Sequence, residues 1–464
     1  MGRLFGTDGV RGAAGKGPLA PDRVRLLARA AGTLLRRDPR LFETPVPPAF
    51  RRLASRRARP GPAAGRVLVG RDTRASGPDL ERWLVEGFRS AGVGVVRAGV
   101  LPTPGVSWLV RSWGSALGVV ISASHNPAPD NGIKLVSPQG FKVPDAAEAA
   151  IESLMADGGG SRRRGPEPRD GSVRTADYLD ALAASGPRLD GMRIAVDCAH
   201  GASSAFAGPL LERLGARPVV TAASPDGRNI NDGCGALHPE RLARVVVREK
   251  ARLGVAFDGD ADRAIFVDEK GEVRDGDHVL AVCGIHLKEK GALRKDTVVS
   301  TVMANYGLER ALGDRGIALA RTKVGDRFVA EGMLRSGAVL GGEQSGHVLF
   351  FDAAPAGDGL LTLLRVLGVM AERGRPLSRL ASVVRKYPQV LLNVPVRRKP
   401  PLEEVPALGR AVGDAEGALG GDGRVLVRYS GTEPLCRVMV EGGDARRVGR
   451  AARAVAAVVR KELA

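Results

Sequence analysis

Leu253-Gly-Val-Ala-Phe-Asp-Gly-Asp-Ala-Asp-Arg263 decides how this chain is read: a short apolar run leads straight into three aspartates at alternate positions. An unbroken apolar run of that length, closed by a polar glycine-containing turn, has the pattern of a strand buried on both faces. Such strands belong to α/β units, whose ligand sites lie beyond the carboxyl ends of the strands. A second run, Ala116-Leu-Gly-Val-Val-Ile121, repeats the pattern and delivers Ile121-Ser-Ala-Ser-His-Asn-Pro127, with Ser124 in its loop. A hydroxyl that can carry a phosphoryl group and three hard oxygen ligands for a divalent cation are the two halves of a phosphoryl-transfer centre.

Asp258, Asp260 and Asp262 could open a calcium loop of the EF-hand kind, with Glu269 at the twelfth position. That loop requires glycine at position six, where this chain has Arg263, and a preceding helix, where this chain has an apolar strand pattern. Three carboxylates so close together repel one another unless a cation joins them. Mg²⁺ suits them because it keeps oxygen ligands and often takes one from a phosphate. Ser124 taken alone would be a turn or cap residue, but Asn126-Pro127 fixes a turn beside it and Lys134 can neutralise phosphate charge or move a proton. Ser122 reads as a strand-end hydroxyl.

Working outward, Pro21 to Arg37 places Val24, Leu27, Ala31, Leu34 and Leu35 on one helical stripe. The Pro- and Arg-rich stretch from Asp38 to Gly65 has weak apolar periodicity and reads as a surface loop or insertion. Order resumes with the strand Arg66-Val-Leu-Val-Gly70. A linker is expected over Ala156 to Gly171, and a further break over Pro388 to Pro401. The expected organisation is an α/β domain over residues 1–160 with the serine loop, a second over 172–267 with the metal loop, a third over 268–385, and a small C-terminal α+β domain over 388–464. Its last helix carries Val448, Ala452, Val455 and Val459 in phase.

At 464 residues the chain is too long for a single core. No window reaches the ~20 apolar residues of a membrane helix, and Met1-Gly-Arg-Leu-Phe-Gly-Thr-Asp8 lacks the apolar core of a signal peptide, so a cytoplasmic protein without membrane partners is expected. Cys198, Cys234, Cys283 and Cys436 are scattered without paired spacing, which predicts reduced thiols. The net charge of +19 raises the question of nucleic-acid binding, but it is arginine spread along the whole chain, and only 4% of residues are aromatic. A solvated, arginine-rich surface on a protein that handles small anions is the expectation, with no nucleic-acid partner.

Two more loops carry chemistry. Gly341-Gly-Glu-Gln-Ser-Gly-His347 sets Glu343, Ser345 and His347 at alternate positions, which suits recognition of neighbouring sugar hydroxyls, and His347 can also carry a proton. Arg428-Tyr-Ser-Gly-Thr-Glu433 follows the strand Val425-Leu-Val427 and combines a guanidinium, hydroxyls and glycine amides in a nest for phosphate.

Taken together, the four loops resemble the α-D-phosphohexomutase superfamily over nearly the whole chain and in the same order. Phe5-Gly-Thr-Asp-Gly-Val-Arg-Gly12, Gly70-Arg-Asp-Thr-Arg74, Asp197-Cys-Ala-His-Gly201, Pro225-Asp-Gly-Arg-Asn-Ile230 and Val324-Gly-Asp-Arg-Phe328 add to the likeness. Gln344 and the ending Arg437-Val-Met-Val-Glu441 are similar to the branch acting on glucosamine phosphates, an amide at 344 being able to hydrogen-bond a hexosamine, whereas branches acting on mannose or glucose phosphates more often carry methionine there. The resemblance implies three similar α/β domains with mixed sheets and a smaller C-terminal α+β domain of TATA-box-binding-protein-like fold around a central cleft. It implies that Ser124 is phosphorylated and donates its phosphoryl group to glucosamine 6-phosphate, that glucosamine 1,6-bisphosphate reorients, and that glucosamine 1-phosphate is released toward UDP-N-acetylglucosamine and cell-wall synthesis. Asp258, Asp260 and Asp262 would hold Mg²⁺ with an oxygen of phosphorylated Ser124. Arg11, Lys134 and His347 match the positions for proton transfer and charge stabilisation, and Arg263 lines the cleft. Glu343 and Ser345 would grip sugar hydroxyls, and Arg428, Ser430, Gly431 and Thr432 would clamp the phosphate that is not reacting. The only ligand partner implied is a small phosphosugar, and the implied assembly is a homodimer. His200, where asparagine is common, and the long Asp38 to Gly65 stretch depart from the family's usual form.

Overall fold

Three of the four sheets are variations on one pattern, and the pattern explains where the loops go. The computed structural model describes residues 4–6, 8–54, 61–160, 162–171, 175–430 and 434–464. In the first sheet the strands Val95–Val100, Val67–Arg71 and Leu117–Ile121 run parallel, and Leu117–Ile121 then pairs antiparallel with Asp130–Val136. The second sheet repeats this with Arg217–Thr221, Arg193–Asp197 and Leu253–Phe257 parallel, and Ala264–Asp268 antiparallel. The third does so with Ala318–Thr322, Thr297–Thr301 and Leu340–Gly342 parallel, and Val348–Phe350 antiparallel. In each case the last parallel strand turns back on itself through a loop, and those loops are the serine loop, the aspartate loop and the Glu343 to His347 loop.

The apolar runs read from the sequence are the central strands: every residue of Leu117–Ile121 and of Leu253–Phe257 is buried. Two-sided burial removes the alternation seen in half-exposed strands and leaves a continuous hydrophobic run. The first sheet gains Val10–Ala13 at one edge, antiparallel to Asp130–Val136, and Arg169–Asp170 at the other. The expected linker therefore ends in an edge strand, a two-residue pairing with no hydrophobic signature to reveal it. Val273–Arg274 extends the second sheet past residue 267. Of the stripe of helix Pro21–Arg37, Val24, Leu27, Ala31 and Leu35 are buried with Leu80, Leu84 and Phe88 of helix Gly77–Ser90 and Ile151 of helix Asp145–Ala156 in one core, and half-buried Leu34 packs against it. The helix Thr103–Trp113 buries Val106, Leu109 and Val110.

The Asp38 to Gly65 stretch is not a bare surface loop. Its described part forms the 3₁₀ turns Pro39–Phe42 and Pro48–Phe50 and the helical turn Arg51–Ala54, and it buries Phe42, Phe50 and Leu53. Thr44 donates from its backbone N–H to Gln139 Oε1 at 3.0 Å and from its hydroxyl to the Lys142 carbonyl at 3.0 Å. The Phe50 ring meets the Phe351 ring edge-on at 5.4 Å, Phe141 meets Phe351 at 5.7 Å, and Arg294 lies over Phe50 while donating to the Ala49 carbonyl. The segment thus straps the first α/β layer to the third. Its few apolar anchors are too widely spaced for any periodicity to show.

The chain divides into two compact units, one comprising residues 1–303 and 317–382 and the other residues 304–316 and 383–464. The second unit holds an antiparallel sheet with Leu435–Gly442 between Gln389–Pro395 and Gly423–Tyr429. Helices Pro406–Leu419 and Ala445–Leu463 pack on it, and Val448, Ala452, Val455 and Val459 are buried there. Half of the break expected over Pro388 to Pro401 is the strand Gln389–Pro395, with Pro388 just before it and Pro395 at its end, where a missing N–H costs the ladder little. Helix Tyr306–Gly313 also belongs to this unit, and Asn305 beside it donates to the Tyr387 carbonyl at 3.0 Å. Among the described residues, no helix is long and apolar enough to cross a membrane, and the four cysteines are free and buried.

Candidate active site

Ser124 and the three aspartates, far apart in sequence, meet at one point. Ser124 sits just past a parallel strand with a left-handed φ of 53°, a conformation that costs a residue with a Cβ about 1–3 kcal/mol and persists only when its surroundings impose it. Its backbone N–H donates to Ser122 Oγ at 2.9 Å, and its hydroxyl donates to Asp258 Oδ2 at 2.5 Å. A Cβ on residue 259 would lie 2.7 Å from the Ser124 carbonyl oxygen, so glycine there allows the two loops to approach. Ser122 is therefore more than a strand-end hydroxyl, since it receives the N–H of the serine two residues on.

Asp258, Asp260 and Asp262 are buried, and each offers a carboxylate oxygen within 4.8 Å of the others. Alternate spacing along the turn of a tight hairpin turns all three inward. Burial, together with the charges of Asp262 and Asp260, pushes the Asp258 carboxyl well above the ordinary range. Burial also works upward on Asp262, but the cationic His347, Lys134 and Arg263 outweigh it and hold that carboxyl far below the ordinary range. Asp260 Oδ1 is buried without a hydrogen-bond partner. Its other oxygen accepts from the Thr103 hydroxyl at 2.7 Å and from Lys134 Nζ at 3.2 Å. A buried carboxylate oxygen left unbonded beside two more carboxylates is the arrangement a hard divalent cation fits.

Cations ring the trio. Lys134 projects from strand Asp130–Val136 to within 3.1 Å of Asp8, 3.2 Å of Asp260 and 3.6 Å of Asp262. Burial works against its charge, yet these carboxylates raise its pKa well above the usual lysine value. His347 Nδ1 lies 3.5 Å from Asp262 Oδ1; burial alone would lower the imidazole, but Asp262, Asp326 and Glu343 bring it up to about 9. His125, by contrast, is pushed down to about 4 by burial and by Arg263 and Arg11, so it is neutral at pH 7. Arg11 donates to Asp8 at 2.5 Å and to Asn126 Oδ1 at 3.4 Å. The backbone N–H of Arg263 donates to Asp258 Oδ1 at 3.2 Å, and its side chain lies near Asp262.

These groups open onto a cavity of about 510 Å³, lined by Asp8, Arg11, Ser124, Asp262, Arg263, Glu343 and His347 together with Val324 to Asp326. That volume lies within the ~300–1,000 Å³ usual for a small-molecule site. Glu343 accepts the Gly325 N–H at 3.1 Å, which joins the third loop to the Val324 to Phe328 segment. Ser345 Oγ is buried with no hydrogen-bond partner and does not line the cavity. The Gln344 amide, expected to face a hexosamine, donates to Asp275 Oδ2 at 3.2 Å, the residue that caps helix Gly276–Glu289. Arg428 and Ser430 lie in the second unit, where Arg428 faces Arg437 directly across the antiparallel pair and Lys399 donates to the Ser430 carbonyl at 2.9 Å. Burial and the Arg437 charge both lower the Arg428 pKa. Gly431 and Thr432 fall outside the described residues.

Sequence reading missed Asp8, Thr103 and Asn231. Thr103 bonds Asp260 through both its N–H and its hydroxyl. The Asn231 amide donates to the carbonyls of Ser124 at 2.9 Å and Asn126 at 3.0 Å. Asp8 and Asn231 lie in or beside motifs quoted above, which was the available signal. Thr103 had none.

The chain is similar to known proteins over nearly its whole length. Profiles described as Phosphoglucomutase/phosphomannomutase alpha/beta/alpha domains I, II and III match residues 50–160, 176–271 and 275–387, and one described as its C-terminal domain matches 391–458. A phosphoglucosamine mutase from Symbiobacterium thermophilum is 46% identical over the full length of both chains, and one from Myxococcus xanthus is 46% identical over 99% of this chain and 97% of its own. Among solved structures, a phosphoglucomutase/phosphomannomutase family protein from Burkholderia thailandensis superposes with a TM-score of 0.79 at 24% identity, covering 99% of this chain and 97% of its own. The Aspergillus fumigatus N-acetylphosphoglucosamine mutase, solved with GlcNAc-6P and magnesium, does so at 0.62 and 17%, covering 99% and 95%; both likenesses concern the fold. The chain belongs to the phosphoglucosamine mutase family of phosphohexomutases, with three α/β/α domains and a C-terminal domain built on an antiparallel sheet.

Proposed function

We propose that this member of the family interconverts glucosamine 6-phosphate and glucosamine 1-phosphate in the cytoplasm through a phosphoryl group carried on Ser124. One observation carries the reading: the Ser124 hydroxyl points into the buried aspartate trio, 2.5 Å from Asp258, at the wall of a cavity large enough for a hexose phosphate. The 1-hydroxyl of the bound sugar attacks phosphorus, the bond from phosphorus to Ser124 Oγ breaks, and the sugar becomes a 1,6-bisphosphate. The proton lost by the sugar hydroxyl equals the one Ser124 must regain, so a single relay serves both ends, and it is assigned to Lys134 and His347, which are ion-paired with the aspartate trio that the serine faces. Arg11, Arg263 and Lys134 set positive charge against the phosphoryl oxygens, where charge spreads in the transition state. After the intermediate turns over, Ser124 Oγ attacks the 6-phosphoryl group, the bond from phosphorus to the sugar O6 breaks, O6 takes up the proton that the serine gives up, and glucosamine 1-phosphate leaves. Asp258, Asp260 and Asp262 would hold Mg²⁺, which supplies neutralisation of phosphoryl charge when bound.

Glu343 is the sugar-hydroxyl ligand on the cavity wall, with Ser345 in the same loop. Arg428, Ser430, Gly431 and Thr432 hold the second phosphate. Arginines facing each other across a ladder repel, and an anion relieves that repulsion. The amino sugar, rather than mannose or glucose, follows from the full-length relatives. A homodimer belongs to the same reading, and light scattering tests it. Intact mass spectrometry tests the reaction itself: one added phosphate on Ser124, discharged by glucosamine 6-phosphate, is expected, and a serine that never labels would refute it. A tenfold preference for mannose 1-phosphate or glucose 1-phosphate would overturn the choice of sugar.

A further inference from the structure

The motif Gly70-Arg-Asp-Thr-Arg74 has so far been given no task, although its last arginine is fully buried beneath the serine loop. Strand Val67–Arg71 lies parallel to Leu117–Ile121, so both chains leave the sheet at the same level. Arg74 turns beneath the neighbouring loop and engages five acceptors. Nε donates to Asp72 Oδ2 at 2.9 Å, Nη1 to the carbonyls of Pro127 and Asp130, and Nη2 to the carbonyls of Ser124 at 3.1 Å and Asn126 at 2.8 Å. A guanidinium has five N–H donors, and all five find acceptors here, four of them main-chain oxygens between 124 and 130. Asp72, buried beside it, accepts the Ser122 hydroxyl at 2.7 Å, and Ser122 in turn accepts the Ser124 N–H at 2.9 Å. The carbonyl and the N–H of Ser124 are therefore both tied, directly or through one hydroxyl, to the same buried ion pair.

We propose that Arg74, acting with Asp72 and Ser122, is the positioning residue of the phosphoryl-carrying serine: it imposes the left-handed backbone of Ser124 and so aims Oγ at the aspartate trio and the cavity. The proposal rests on the function assigned above. It assigns Arg74 no contact with substrate, because the guanidinium is sealed under the loop. Its effect is on alignment, and an in-line phosphoryl transfer is sensitive to alignment at the scale of 1 Å, where a misplaced group costs on the order of 10²-fold in rate. Arg74 does not line the cavity, so substrate binding is expected to be unchanged.

The test compares full-length wild type, R74K, S122A and I151V. R74K keeps the charge beside Asp72 but has only three donors for five acceptors. S122A removes the oxygen that receives the Ser124 N–H and leaves the ion pair intact. I151V removes one methylene from the core of the same domain, away from the site, and controls for lost stability. Thermal unfolding, kcat and KM for glucosamine 6-phosphate, and the single-turnover rate of Ser124 phosphorylation by glucose 1,6-bisphosphate are measured for each. The expected result is kcat and labelling rate down about 100-fold in R74K and about tenfold in S122A, with KM within twofold and I151V turning over as wild type does. Values of kcat within threefold of wild type in both folded variants would overturn the proposal, as would an equal loss in I151V. If R74K does not fold, S122A alone decides. A wild type that neither turns over nor labels Ser124 refutes the underlying function, and this outcome is distinct from variants that match an active wild type.

Discussion

The serine loop and the Glu343 to His347 loop occupy the same place in two copies of one sheet pattern, yet they are held in opposite ways. The serine loop is gripped by side chains: Arg74, Asn231 and Ser122 together bind its carbonyls and the Ser124 N–H. The other loop is tied mainly by backbone. Glu343 N–H donates to the His347 carbonyl, Gly346 N–H to Glu343, Ala264 N–H to Gly346 and Gly276 N–H to Gln344. A loop that makes and breaks bonds needs one geometry, and buried charged side chains with several fixed acceptors supply it. On the proposed function, the other loop reads hydroxyls and needs its side chains left over for the ligand, which fits a loop held mainly by its own main chain.

Replacing Ser124 by alanine, the most severe challenge to this contrast, should reduce turnover at least about 10⁴-fold while unfolding stays cooperative, since the Thr103 hydroxyl, also bonded to the trio, does not line the cavity. Stripping divalent cations with a chelator should abolish activity reversibly, and D260N should lower kcat on the order of 10²–10³-fold even with Mg²⁺ restored. On the recognition loop the expected damage is smaller and of another kind. E343Q should raise KM about 10- to 100-fold with a lesser change in kcat, because one hydrogen bond to a charged group is worth about 1.5–3 kcal/mol; a fall in kcat alone would erase the distinction between the loops.

Behind the aspartate loop, Asp358 caps helix Gly359–Arg373, accepting the Leu361 N–H at 2.9 Å and the Tyr178 hydroxyl at 2.8 Å. Burial pushes its carboxyl up to about 6, opposed by the Leu361 and Tyr178 hydrogen bonds. A carboxyl whose folded pKa is raised binds its proton more tightly in the folded state, so this group lowers stability as pH climbs from the ordinary carboxylate range through 6, and the loss is complete above that. D358N, which keeps the Leu361 bond through its oxygen and can reverse the other by donating Nδ2–H to the Tyr178 oxygen, removes the charge and should be more stable than wild type by about 2–3 kcal/mol at pH 7 and by little at pH 4. Denaturant unfolding at the two pH values checks the sign. The smallest effect is expected from Q344M: with the amide committed to Asp275, preference among glucosamine, glucose and mannose phosphates should shift less than about threefold, and a larger shift would mean that the side chain leaves Asp275 to read the sugar.

What could be read in the sequence follows from what burial does to a pattern. Leu117–Ile121 and Leu253–Phe257 are covered on both faces, so their residues stand as unbroken apolar runs and point to the loops after them. Helix Pro21–Arg37 has one buried face and shows a stripe. Gln389–Pro395 is largely exposed and half-buried by turns, and its prolines read as a break. Within the site, Ser124, Lys134 and the aspartates announce their chemistry by type and spacing. Thr103 and Asn231 do not, because their importance lies in which atoms the fold brings opposite them. Asp72 and Arg74 stood within a recognised motif, but their target lies 50 residues away on the adjoining strand's exit.

The strap at Thr44 to Leu53 bears on motion rather than chemistry. By wedging Phe50 against Phe351 and tethering Thr44 to Gln139 and Lys142, it adds a further tie between two layers that Phe141 with Phe351 and Arg327 with Asp145 also join. Rigidity gained there confines any breathing between the two transfers to other seams of the molecule. The segment thus acts as a splint that stiffens one flank of the chamber.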